Sequence, residues 1–331
     1  MTLYRRCFHR RLPRFVFERT LIYSEDVEKE TSMAAFQRFA TGASLKVQGL
    51  VKPYGVAVRK GKVYVTDSAQ SALMLFDIPG GRFKEIGTEE PGELTKPLGI
   101  DISPTGEVFV CDVAAQQVFV YDEEGVYQRA IGDRSIFKRP TGIAISPDGS
   151  RAYVVDTGGV DNEDHRVYIF SAASGELLSS FGTRGIKNGE FNLPLQAATA
   201  PDGTVYVVDG GNFRVQAFTP DGKFSHSFGS IGRLPGQFSR PKGIAADRDG
   251  NVYVVDTAFG NFQIFDKHGQ LLMFAGERAQ VGSPAKYMLP AGIDVDEDGR
   301  IYVVDQFFRK VDIFRPVHLS KHEGYAALHE E

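Results

Sequence analysis

Tryptophan is absent from the 331 residues, cysteine occurs twice, and no run of 18 apolar residues exists. The missing apolar run excludes a membrane-spanning helix. Cys7 and Cys111 are too few for a disulfide framework or a zinc knuckle. Cys111 stands where sister strands carry Val, so it is expected to be a buried small apolar residue. A net charge of −4 leaves no overall basic footprint for nucleic acid, so any basic patch must be local. The first 14 residues hold five arginines but no apolar segment of a secretory signal. They read as a basic arm, or as a start that has lost a signal.

What is present is a repeat. A Pro-x-Gly (or Pro-x-x) leads into a short apolar run, then an Asp/Gly turn, then a V-Y-V-V-D strand. The prolines are Pro53, Pro97, Pro140, Pro194, Pro241 and Pro290, and the closing aspartates are Asp67, Asp112, Asp156, Asp209, Asp256 and Asp305. Successive aspartates lie 45, 44, 53, 47 and 49 residues apart. A period of roughly 40–50 residues with several strands per copy marks a β-propeller, because one such unit cannot bury both of its faces alone.

In the fourth copy, strands are expected over Gln196–Ala200, Val205–Asp209, Val215–Phe218 and Phe224–Phe228. Pro201-Asp202-Gly203 and Pro220-Asp221-Gly222 supply the turns between them. The sixth copy ends after Phe314 without a fourth strand. An open ring would leave an unpaired sheet edge. The strand-like run RFVFERTLIY at residues 14–23 is therefore expected to pair with residues 311–314 and close the ring. Asp26–Phe39 reads as a short helix with Ser24 as its N-cap. The expected fold is all-β: a six-bladed propeller of four-stranded blades over residues 50–316. A basic arm (1–13) and a closing strand plus helix (14–49) precede it, and a tail (317–331) follows.

The pattern P-x-G-I-A, D-x-x-G-x-V-Y-V-V-D, N-x-R-V-Q-x-F, D-G-x-F and F-G resembles the NHL repeat, most closely across Pro194–Gly229 and Pro241–Gly276. WD40 repeats share the period but want Trp-Asp pairs, which this chain lacks. The arrangement is also similar to bacterial NHL proteins with an added N-terminal strand and helix. That likeness implies an exported or cell-envelope protein, for which this chain shows no signal peptide.

A structural role is expected for the repeated Asp, since all six copies carry it and chemistry needs one place. Basic partners follow some of them, and Asp209–Arg214 and Asp156–Arg166 read as bidentate ion pairs. The loops beside these aspartates open on one end of the propeller. There Phe213, Arg214, Phe259, Phe307, Phe308, Arg309, Lys310 and Arg184 form a candidate binding surface of aromatics beside cations. The phenylalanines read equally as wedges between blades. The blade-three loop, Gly158–His165, is long and acidic but lacks calcium-loop spacing.

Enzyme readings have less to stand on. His165, His226 and His268, the only histidines within blades, fall on different strands and loops. The channel-facing strand starts are apolar, with Asp101 and Asp294 one step further along. No cofactor or metal motif is found. The resemblance therefore implies, first, a non-catalytic module, monomeric, binding a protein or peptide through its loop face. The alternatives are a metal-dependent propeller hydrolase or lyase of the lactonase type, and a single-stranded RNA-binding NHL domain.

Overall fold

The computed structural model describes residues 14–28, 40–41, 47–159 and 163–327. Six four-stranded antiparallel sheets follow one another along the chain. The innermost strand of each sheet touches that of the next, and Pro290–Val295 of blade six touches Pro53–Arg59 of blade one. In blade four the strands are Pro194–Thr199, Val205–Asp209, Arg214–Phe218 and Phe224–Phe228. These agree with the strands read from the sequence to within two residues.

Six hydrophobic clusters hold the ring, one for each pair of adjacent blades. Ala245, Phe262 and Tyr287 of blade five meet Ile301, Val303 and Phe314 of blade six. The cluster joining blade six to blade one contains Tyr302, Val304 and Val311 with Val63, Val65 and Met74. The V-Y-V-V-D strand, buried on both faces, is mostly apolar up to its closing aspartate because it feeds two of these cores. The buried Cys111 is part of one of them.

The ring closes through the N-terminal strand. Phe15–Leu21 runs antiparallel to Lys310–Pro316, with Phe15 opposite Pro316 and Leu21 opposite Val311. Thr20 donates to Asp312 at 2.8 Å across this pair. Beyond the strand, Ser24–Asp26 form a single 3-10 turn with Tyr23 as N-cap. Residues 29–39 of the expected helix lie outside the described residues, and no helix is present over 14–28.

The Pro-x-Gly motif has a spatial cause. Each opening proline pairs with the aspartate of the next strand, as Pro241 does with Asp256, and a register shift follows at once. That bulge turns the innermost strand into the channel. A Cβ on Gly292 would lie 2.6 Å from the Tyr54 carbonyl oxygen, and one on Gly55 2.5 Å from that of Leu98. Glycine is needed here for space between backbones, and the resulting ring constricts the channel. In blade four Gln196 takes the glycine position, and its Oε1 accepts the Ile143 N–H at 3.0 Å. Gly292→Ala is expected to push blades six and one apart and cost about 1–3 kcal/mol. Urea unfolding checks this, and an unchanged midpoint would contradict the close approach.

Candidate functional site: the loop face and the channel

Each repeated aspartate is buried and staples two loops together. Asp256 accepts the N–H groups of Ser239, Arg240, Ala258 and Phe259 at 2.7–3.1 Å. Asp305 does the same for Met288, Leu289, Phe307 and Phe308. Asp67 and Asp112 bind the same two backbone segments in their own blades. In blade four, side chains replace three of the four donors. Asp209 accepts from the Asn192 N–H and from Asn212, Arg214 and Gln216. Asp156 holds Lys138, Arg139 and Gly158. The staple joins the lead-in to the innermost strand to the turn after the second strand, which fixes the loop face.

The expected ion pairs are only partly made. Arg214 reaches Asp209 through Nε alone, at 2.8 Å. Its Nη2 donates to the carbonyls of Lys187 and Glu190. Arg166 does not pair with Asp156, whose oxygens are filled by backbone N–H groups. It lies 3.7 Å from Asp164 of the acidic loop instead. Residues 160–162 of that loop are outside the described residues. His165 is buried there, with Nδ1 accepting the Leu193 N–H at 3.1 Å.

The eight candidate residues divide by exposure. Lys310 is buried, donating to Asp312 and the Ser283 carbonyl at 2.6 and 2.7 Å. Phe213 packs against the core between blades four and five, as a wedge. Phe259, Phe308 and Arg214 are half-buried. Phe307, 53% exposed, stands edge-on to Phe308 at 5.2 Å. Arg309 and Arg184 are exposed.

Around Phe307 the structure adds what residue spacing did not show. The loops entering blades four, five and six carry Ile186 (77% exposed), Leu234 (68%) and Val281 (78%) at their tips. Lys187 and Arg233 are exposed immediately beside them. Reading those three loops as aligned copies would have found this band.

The channel has two unlike ends. Beyond the glycine ring, on the face opposite the loops, is a cavity of about 360 Å³. Ile100, Ile143, Ile244 and Ile293 wall it, and Asp101 and Asp294 line it. Asp101 accepts the N–H groups of Ile102 and Ile145, both at 2.7 Å. Asp294 accepts those of Val295 and Val58 at 2.8 and 2.7 Å. Each carboxylate thus ties its blade to the next. Burial pushes Asp101 up to about 6 and raises Asp294 further, with the Asp101 charge adding to the effect. Among the described residues no three His, Cys, Asp or Glu side chains come together as a metal set. Each of these two acids accepts one backbone N–H on each oxygen.

The loop-face end is basic. The residues just before the opening prolines are Lys52, Lys96, Arg139, Leu193, Arg240 and Leu289, and Lys242 follows Pro241. Lys242 reaches across the mouth, with Nζ 3.1 Å from Gln306 Oε1 and 4.4 Å from the centre of the Tyr54 ring. Burial, with Arg240 and Lys52 nearby, pushes its ammonium down to about 8. Lys242, at the centre of this group, was not singled out from the sequence. The column of residues flanking the six prolines was the available signal.

The NHL repeat family matches residues 238–265, within blade five. A mouse peptidyl-glycine alpha-amidating monooxygenase is 32% identical over 141 residues, covering 38% of this chain. The match spans only 14% of that relative's length. A gluconolactonase from Xanthomonas campestris superimposes with a TM-score of 0.61 at 15% identity, over 91% of this chain and 98% of its own. A chain of a nidogen–laminin complex does so at 0.55 and 18% identity, over 69% and 83%. At such identities the structural likenesses establish the fold alone. Together with the six stapled blades, they make this chain a six-bladed β-propeller, one of whose blades matches the NHL repeat.

Proposed function

We propose that this propeller is a non-catalytic binding module whose loop face, over the entries to blades four to six, docks an acidic and partly apolar protein or peptide. One observation carries the reading. Ile186, Leu234, Val281 and Phe307, each more than half exposed, stand on loops of neighbouring blades on one face, with Lys187, Arg233 and Arg309 exposed in the same loops. Large exposed apolar side chains presented side by side on a rigid frame are what an interface core draws on. The cations set the sign of the partner's rim. The nidogen–laminin likeness is in keeping with protein binding on this fold. No helix of the described residues is long and apolar enough to cross a membrane.

A hydrolase or lyase acting through a channel metal has weaker support, because the two channel carboxylates are engaged by backbone and lack further ligands. RNA binding has the exposed cations but no set of exposed aromatics, since Phe213, Phe259 and Phe308 are at least partly packed away.

Photo-crosslinking residues placed at Leu234 and Val281 are expected to trap the same partner, and one at Val126, on the opposite face, is not. Ile186→Asp, Leu234→Asp and Val281→Asp together are expected to weaken that partner at least ten-fold with the melting temperature unchanged. Equal trapping from Val126, or an unaltered affinity, would remove the reading. Salt-steep binding of single-stranded RNA with no protein crosslink would replace it.

A further inference from the structure

The mouth of the channel on the loop face holds a cation with nothing to balance it. Lys242, in the innermost strand of blade five, is half-buried between blade six (Gln306) and blade one (Tyr54). No described carboxylate pairs with it, and Lys52, Arg139 and Arg240 around the mouth make no ion pair either. The acid whose charge Lys242 feels most is Asp305, and both of its oxygens are occupied by four backbone N–H groups. A partly desolvated ammonium among like charges is costly unless an anion completes the site. The glycine ring beneath leaves only about 10 Å³ of space, so the mouth is a cup with a closed floor.

We propose that this cup binds a carboxylate of the acidic partner, with Lys242 at its floor, the Tyr54 ring as one wall and Lys52, Arg139 and Arg240 at its rim. The inference rests on the loop face being the docking face. The carboxylate has two possible sources, the partner's C-terminus or its Asp and Glu side chains, and the chemistry of recognition is the same for both. Binding requires the protonated amine. Lys242 titrates near 8, so affinity is fully present at pH 7 and lost as pH rises past that value. Arg240, Lys52 and Asp305 are the charged groups whose fields act on it.

The test uses the full chain with N-acetylated hexaglutamate, as free acid and as C-terminal amide, and with inorganic phosphate. Titration calorimetry is expected to show hexaglutamate binding that weakens at least ten-fold in Lys242→Met and several-fold between pH 7 and 9. In ¹³C-dimethylated protein, the Lys242 resonance is expected to titrate near 8 and to move upward when hexaglutamate is added. Lys242→Met is expected to melt at or above the wild-type temperature, which a purely structural lysine would not allow. Binding by the free acid alone assigns the C-terminus, and equal binding by both forms assigns side chains. Phosphate binding more tightly than either peptide would overturn the carboxylate assignment, as would Lys242→Met affinity equal to wild type or a flat pH profile. If Lys242→Met keeps hexaglutamate while the Ile186→Asp, Leu234→Asp, Val281→Asp triple variant still loses its partner, the cup fails and the docking face stands. The reverse pattern keeps the cup and removes the docking face.

Discussion

Asp256→Ala is expected to lower stability by about 3–5 kcal/mol, among the largest effects any single side chain in this ring can produce. The carboxylate is fully buried and accepts four backbone N–H groups from two separate loops. Alanine leaves those donors inside the protein without acceptors. Each unsatisfied buried group costs about 1–3 kcal/mol, and the total falls short of a sum because the loops relax. Asp256→Asn is the sharper comparison. Its carbonyl keeps one side of the staple, while its amide presents hydrogens to N–H groups on the other, so about half of the loss is expected. Guanidinium unfolding gives both values. Amide exchange at Ser239, Arg240, Ala258 and Phe259 is expected to accelerate ahead of the sheet. A cost under 1 kcal/mol for the alanine variant would show that the loop face is not held by these carboxylates.

Glu18→Gln should cost about 3–5 kcal/mol, whereas Glu18→Leu combined with Arg300→Met should cost far less than the single changes summed. Arg300, fully buried, donates Nε to Glu18 of the closing strand at 2.8 Å. It also donates to Asp298 at 3.2 Å and to the Glu323 carbonyl at 2.6 Å. Neutralising Glu18 leaves the buried guanidinium with only the longer pair to Asp298, and that lost compensation is the main penalty. Replacing both partners with apolar side chains removes the charge along with the bond. A thermal double-mutant cycle measures the difference. Additive losses would mean that Glu18 and Arg300 act independently, and the closing strand would then be held by its backbone pairing alone.

The sequence carried the architecture because the architecture is periodic. Six prolines and six aspartates in register place twelve strands at once, and the missing fourth strand of the last copy called for Phe15–Leu21. Side-chain direction is not periodic in that way. Arg214 and Lys310 sit in the turn where an exposed cation is expected, yet each is drawn inward by groups from loops distant in sequence. Lys187 and Glu190 offer carbonyls to the first, and Asp312 and the Ser283 carbonyl hold the second. Arg166 turns to Asp164 because backbone had already claimed Asp156. Lys242 escaped notice for the opposite reason. It lies beside the most regular residue of the repeat, and its surroundings come from blades one, five and six, which only ring closure brings together.

The pairing of Phe15–Leu21 with Lys310–Pro316 also sets an order of events during synthesis. Phe15–Leu21 is translated well before the strand that covers its edge, so blade six stays incomplete until Lys310–Pro316 has left the ribosome. Five blades can stack as they emerge, each on its predecessor, but the first and the fifth keep an open flank until then. Contacts of such long sequence separation form late and slowly. A chain halted anywhere before residue 310 therefore carries exposed strand edges at both ends of its stack. Such products are the ones for which chaperone capture and aggregation compete.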